Sequence, residues 1–139
     1  MGLVYAEIEL ISGDDLALYR RGFQSEGQIK RMKVNALVDS GAYMLVISEH
    51  IRQQLDLAVI EEQLFRLADD SERRAKVVGP VEVRFENRRA SVDAVVLPGA
   101  EEVLLGSIPM EDLDVVIEPK QQRLIVNPES PYIATKHLK

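Results

Sequence analysis

The sequence has no cysteine, no tryptophan and only two histidines. Without cysteine there can be no disulfide, no thiolate metal site and no cysteine nucleophile. His50 and His137 lie far apart and outside any H-E-x-x-H spacing, so both read as surface residues and neither a metal nor another cofactor is expected. Long apolar runs are also missing. A membrane span needs about 20 apolar residues, and the first residues lack the basic and apolar regions of a secretory signal. The expectation is a cytoplasmic protein that makes no membrane contact. Concentrated positive charge is absent too. The net charge is −6. The basic clusters Lys30-Arg31-Met32-Lys33, Arg73-Arg74 and Arg88-Arg89 are short and interleaved with acids. They read as solvated surface and exclude nucleic acid as a partner, because phosphate binding needs a concentrated basic footprint.

What remains is 139 residues with 46% apolar and 29% charged side chains. That is enough for one globular domain over residues 1–139. The pattern is mainly β. Val4 to Leu10 alternates as a strand, and Ser12 to Gln28 breaks the rhythm with three glycines and two adjacent acids. A surface loop with one helical turn around Leu16–Arg20 is expected there. A second strand covers Ile29–Val38, and its apolar end, Val34–Val38, is expected to be buried on both faces. Met44–Ile47 reads as a buried strand, and Ser48 caps a short helix over Glu49–Leu55. Leu64–Ala68 is strand and Asp69–Arg74 a polar tip. Val81, Val83 and Phe85 alternate inward, with the other face wet. Asn87-Arg88-Arg89 turns into a strand ending near Leu97, and Pro109 opens a second short helix through Leu113. Val115–Ile117 and Arg123–Val126 are expected to close the sheet, with residues 127–139 as an extended C-terminal arm. Many short strands with one or two short helices predict a closed or sandwiched β fold.

One constellation carries chemistry. In Val34-Asn35-Ala36-Leu37-Val38-Asp39-Ser40-Gly41-Ala42, a carboxylate sits where an apolar strand ends, followed at once by a hydroxyl and a glycine. A buried carboxylate needs donors or a partner charge. Ser40 offers a hydroxyl, and Gly41 lets the backbone turn sharply and approach closely. An ordinary Asp-Ser-Gly turn would look the same locally. The apolar approach and the second apolar strand behind it favour a functional site. The adjacent acids Glu61-Glu62, Asp69-Asp70 and Glu101-Glu102 do not compete, because neighbours on a strand face opposite ways. Tyr43, just beyond the turn, could line a pocket, but packing is the favoured role.

Ala36 to Ala42, followed by Leu45-Val46-Ile47-Ser48, closely resembles the active-site strand and loop of retropepsins. Val103-Leu104-Leu105-Gly106 with Ile108–Leu113 resembles that family's second signature. The chain thus resembles the bacterial and archaeal branch of retropepsin-like, clan AA aspartic proteases. The resemblance implies a closed acid-protease β-barrel with a flap hairpin over Leu67–Val78, its tip near Asp69–Arg74. It implies a homodimeric aspartic endopeptidase acting on a peptide or protein substrate, with Asp39, Ser40 and Gly41 as the catalytic triplet. Ala42, Leu67, Ala68, Asp69, Asp70 and Ser71 are then the substrate-binding residues. The chain holds a single Asp-Ser/Thr-Gly, so the second carboxylate must come from a symmetry mate. Two departures stand out. Ser40 occupies the place where the family more commonly has threonine. The flap is highly charged rather than glycine-rich, and an acidic tip favours basic or polar peptides. The alternatives are a non-catalytic dimerisation or peptide-binding module on the same fold, and a plain β scaffold whose Asp-Ser-Gly is only a turn.

Overall fold

A computed structural model describes residues 2–139. In chain order the elements are β1 (Tyr5–Ser12), α1 (Gly13–Arg20), β2 (Arg31–Val38), β3 (Leu45–Ile47), α2 (Glu49–Leu55), β4 (Val59–Arg66), β5 (Glu72–Phe85), β6 (Arg88–Val96), β7 (Leu104–Leu105), α3 (Ser107–Leu113), β8 (Val115–Glu118) and β9 (Arg123–Val126). A seven-stranded sheet runs in the order β1-β2-β7-β3-β6-β5-β4. A further antiparallel pairing, Glu9–Ser12 of β1 with Val81–Arg84 of β5, joins the sheet to itself. The strands from β1 through β5 in that order therefore form a ring, and β4 projects from it as one arm of a hairpin with β5. Ring closure leaves few free edges. The interior is filled by Ile8, Leu10, Leu45, Ile47, Val78, Val81, Val83 and Leu105, with Leu55 of α2 and Leu113 of α3 packed in from the ends.

β5 serves two tasks because it changes partner along its length. Its first half pairs with β4, its second half with β1, and β6 runs beside both. The β5–β6 register shifts between Val78 and Val81, around the cis Gly79–Pro80 bond. Pro80 has no N–H to give the ladder, so the interruption falls where the chain can bear it.

Several expectations need correction. The stretch after Ser12 is not a loop with one turn but the eight-residue helix α1. The Ser12 hydroxyl accepts from Asp15 N at 3.2 Å, and Asp14 and Asp15 lie in the first turn. Acids there complement the helix dipole, so the residues that broke the strand rhythm are a helix start. Burial pushes the Asp15 carboxyl up, but the Lys30 backbone N–H at 2.9 Å and nearby donors outweigh it and hold it below its ordinary value. Val34–Val38 is not buried on both faces: Ala36 and Val38 are covered, Asn35 is exposed and Leu37 half-buried. β8 and β9 do not close the main sheet but form a separate two-stranded one.

The outer face of β5 is not wet throughout. Val81, Val83 and Phe85 are buried as expected, but Glu82 is also only 2% exposed. Its carboxylate meets Arg20 of α1 at 3.4 Å, Arg84 at 2.7 Å and Arg89 at 2.8 Å. Burial raises its pKa, and the hydrogen bonds from Arg89 and Arg84 overcome that, for a net lowering.

Arg88 is likewise no surface residue. Its side chain is 1% exposed and 3.5 Å from Asp114, and it donates to the Ser130 carbonyl. Asp114 ends α3 in the left-handed conformation and accepts from Asn127 Nδ2 at 2.9 Å, Ser130 Oγ at 2.5 Å and the Thr135 N–H at 3.0 Å. The Ser130 hydroxyl and the Thr135 amide are the main reason its pKa falls to about 2. Residues 127–139 contain no helix or strand, and these bonds tie them to the body of the protein. Among the described residues no helix is long and apolar enough to cross a membrane.

Candidate active site

β2 carries the chain to Asp39 and releases it. The Asp39 N–H still donates to the Leu105 carbonyl at 3.0 Å, extending the parallel pairing of β2 with β7 by one residue. The chain then reverses: Ala42 N donates to Asp39 O at 3.1 Å, and Gly41 N donates to Asp39 Oδ1 at 2.9 Å. A Cβ on Gly41 would lie 3.2 Å from that oxygen, so glycine keeps the amide close to the carboxylate. Asp39 is half-buried, and among the described residues no Lys, Arg or His forms an ion pair with it. A charge-neutralised structural turn would need such a partner.

The second signature holds this loop from behind. Ser107 N donates to Ala42 O at 2.9 Å and Ile108 N to Tyr43 O at 3.0 Å, both from the first residues of α3. Gly106, the residue before α3, presses on the loop backbone. A Cβ there would collide with Met44 O, lie 2.7 Å from Ala42 O and 2.9 Å from Met44 N. The glycine of the second motif is thus required by the backbone of the first.

Over the site stands the β4–β5 hairpin. Its turn is Leu67–Ser71, closed by Leu67 N to Ser71 O at 2.8 Å. The expected tip, Asp69–Arg74, is too long, because pairing resumes at Glu72 and places Arg73 and Arg74 within β5. β4 also starts earlier than expected, at Val59.

Between hairpin and loop lies a cavity of about 310 Å³. Asp39 and Gly41 are on its wall together with Ala42, Leu67 and Ala68. Ser40, Asp69, Asp70 and Ser71 are not on that wall. Asp69 is occupied within the turn, accepting from Ser71 Oγ at 2.5 Å and Ser71 N at 3.0 Å, and these bonds lower its pKa. Ser40 instead faces a second hollow of about 280 Å³ shared with Leu3, Val4, Leu37 and Ile117.

The remaining walls are Met44, Val46, Phe65, Val95, Leu97 and Leu104, with Arg66 and Tyr43. Sequence reasoning missed most of these, and it favoured packing for Tyr43, which is 70% exposed and takes the pocket-lining place that was its alternative. Phe65 was within reach. It alternates with Leu67 on one hairpin face, and both are half-buried. Val95 and Leu97 approach through the parallel β3–β6 pairing, which no local pattern reveals. Among the described residues no three His, Asp or Glu side chains gather as a metal site.

A closed ring of strands, an aspartate turn backed by a glycine–helix signature and a hairpin above define the retropepsin-like class of acid-protease folds. The chain belongs to the family described as "gag-polyprotein putative aspartyl protease", whose model matches residues 25–123. The chain is also similar to solved structures. The retroviral protease-like domain of Ddi1 from Leishmania major aligns over 91% of this chain and 91% of its own, at 12% identity and a TM-score of 0.52, a likeness of fold. The simian foamy virus (mac) protease covers 76% of this chain and 90% of its own at 17% identity and a TM-score of 0.48. A retropepsin-like aspartic protease from Rickettsia conorii covers 85% and 89% at 16% identity and 0.46. No curated protein matches the sequence.

Proposed function

We propose that the chain is an aspartic endopeptidase that works as a homodimer, each copy supplying one Asp39 carboxylate. The observation that carries this reading is the state of Asp39. It is half-buried on the wall of an otherwise largely apolar cavity, oriented by the Gly41 amide and, among the described residues, without an ion pair. A lone carboxylate so placed has little to do, whereas two have general acid–base chemistry.

The pairing surface supports the same reading. Ser40 is exposed beside Asp39, and the hollow it borders is also lined by Leu37, by Leu3 at 69% and by Ile117 at 37% exposure. Tyr5 and Leu37 are partners across β1 and β2 and so share a face. A second copy docked there covers this apolar surface and brings the two Asp39 side chains together about an axis, as isologous pairing requires.

Carboxylates about 3 Å apart do not both ionise, a general property of aspartic proteases, so the pair shares one proton. The ionised Asp39 takes a proton from a water between the two. That water attacks the peptide carbonyl, the protonated Asp39 donates to the carbonyl oxygen, and a proton then passes to the leaving amine. The Gly41 amide keeps the carboxylate aligned. The hairpin lies over the peptide and excludes water, with Ala42, Leu67 and Ala68 against the substrate. Contact from Asp69, Asp70 and Ser71 requires the tip to fold further over the bound chain.

The test is cleavage of a fluorogenic peptide library across pH. We expect an acidic optimum, inhibition by a statine-type transition-state analogue, and abolition by Asp39→Asn with melting temperature unchanged. Cleavage by that variant well above background would rule the mechanism out. Peptide binding without turnover at any pH would instead favour a peptide-binding module.

A further inference from the structure

Tyr43 is a bulky aromatic side chain that the chain leaves uncovered, 70% exposed, on the wall of the cavity that holds Asp39. Its backbone is not free to move. Tyr43 O accepts from Ile108 N at 3.0 Å, Ala42 O accepts from Ser107 N at 2.9 Å, and Gly106 is wedged against Met44. The ring is therefore presented from a fixed base, and little backbone order is lost when something packs on it. A second aromatic, Phe65, lines the same cavity from the hairpin. The sequence has only four tyrosines and three phenylalanines, and two of these seven rings meet at one cavity from opposite elements.

The other candidates for selecting a side chain are weaker. Arg66 borders the cavity, but it follows Phe65 on the strand and pairs across the hairpin with Glu72 at 3.5 Å. Strand alternation turns it away from the face that Phe65 and Leu67 share. Met44, Val46, Leu97 and Leu104 give apolar area without directional preference.

We propose that Tyr43 and Phe65 form an aromatic bracket that makes this cavity selective for an aromatic side chain of the substrate over an aliphatic one of equal size. The inference rests on the proposed peptide-binding role of the cavity and specifies what the cavity prefers. Ring–ring contacts favour edge-to-face or offset geometry and discriminate against saturated rings of the same shape. Discrimination made equally in ground and transition states appears in KM and leaves kcat unchanged.

The test uses two capped hexapeptides that differ only in a central phenylalanine or cyclohexylalanine. Affinities are measured by calorimetry on Asp39→Asn protein, with and without each further substitution, and kcat and KM on the matching chains that keep Asp39. We expect the phenylalanine peptide to bind about fivefold more tightly. Tyr43→Phe should keep that ratio, and Tyr43→Leu and Phe65→Leu should each bring it towards one, with changes in KM rather than kcat. Equal affinity for the two peptides, or a ratio unmoved by Tyr43→Leu, overturns the bracket. Because affinity is read on the Asp39→Asn protein, selective binding without turnover by the unmodified chain would uphold the bracket and overturn only the proteolytic reading.

Discussion

Gly106→Ala is a one-carbon change with a calculable result. The backbone at Gly106 is extended, φ −86° and ψ −175°, so alanine brings no torsional strain of its own. It even lowers the entropy of the unfolded chain, a gain of about 0.4–1 kcal/mol. Against that stand three collisions of the new Cβ, with Met44 O, with Ala42 O at 2.7 Å and with Met44 N at 2.9 Å. All three are backbone atoms, so no rotamer change relieves them. Overpacking of this kind costs about 1–3 kcal/mol, and the upper end applies here. If the loop moves to escape, it strains the hydrogen bonds from Ser107 N and Ile108 N, each worth about 1 kcal/mol. The net expectation is a loss of about 2–4 kcal/mol, read as a lower urea midpoint at unchanged slope, together with loss of peptide cleavage because Asp39 hangs on the same loop. Gly27→Ala is the control. No atom lies within 4 Å of its Cβ position, and the change should be near neutral. A Gly106→Ala protein within about 0.5 kcal/mol of the parent and still active would refute the claim that the second motif holds the first.

Two further expectations concern Ser40 and Asp114. If the exposed Ser40 hydroxyl bonds across the axis twice by symmetry, Ser40→Ala should weaken self-association by about 2 kcal/mol, roughly thirtyfold in dimer dissociation constant by analytical ultracentrifugation. Ser40→Thr should hold or tighten it, and an unchanged constant for both variants would place the axis elsewhere. Asp114 has its pKa lowered to about 2 in the folded chain. The unfolded chain therefore binds its proton first, and the stabilisation is full above about pH 5 and lost as pH falls towards 2. Asp114→Asn should be less stable at neutral pH by about 2 kcal/mol, with the gap narrowed by roughly half at pH 3. A gap that does not change with pH would mean the carboxylate's charge is not what anchors residues 127–139.

The aspartate turn and the glycine behind it were more legible in the sequence than the surroundings that shape them. Asp39-Ser40-Gly41 and Gly106 could be read because each needs a particular residue type at one backbone position, and the Ser48 cap of α2 because its signal is local. Leu67 was among the expected substrate-binding residues, and Phe65 needed only the alternation to be followed two residues back from it. Glu82 and Arg88 were misread for a different reason. Glu82 alternates onto the strand face expected to be wet and Arg88 stands in a basic pair that looks solvated, and each is buried by a distant segment, α1 over Glu82 and residues 127–135 over Arg88. A strand pattern states which residues share a face but not what covers that face. The same limit hid Tyr43, since exposure of an aromatic ring depends on the absence of a neighbour. β8 and β9 were found as strands and misplaced as closing the sheet, because closure is made instead by β1 pairing with β5, from Ser12↔Val81 to Glu9↔Arg84.

The proposal that one active site needs two Asp39 side chains is tested most directly by subunit mixing. Unmodified and Asp39→Asn chains, combined in equal amounts at fixed total concentration and allowed to exchange, should assort at random. If only pairs with both carboxylates are active, about one quarter of the activity remains. Retention of one half, in proportion to the unmodified chain added, would contradict the account, because each copy would then be cutting alone.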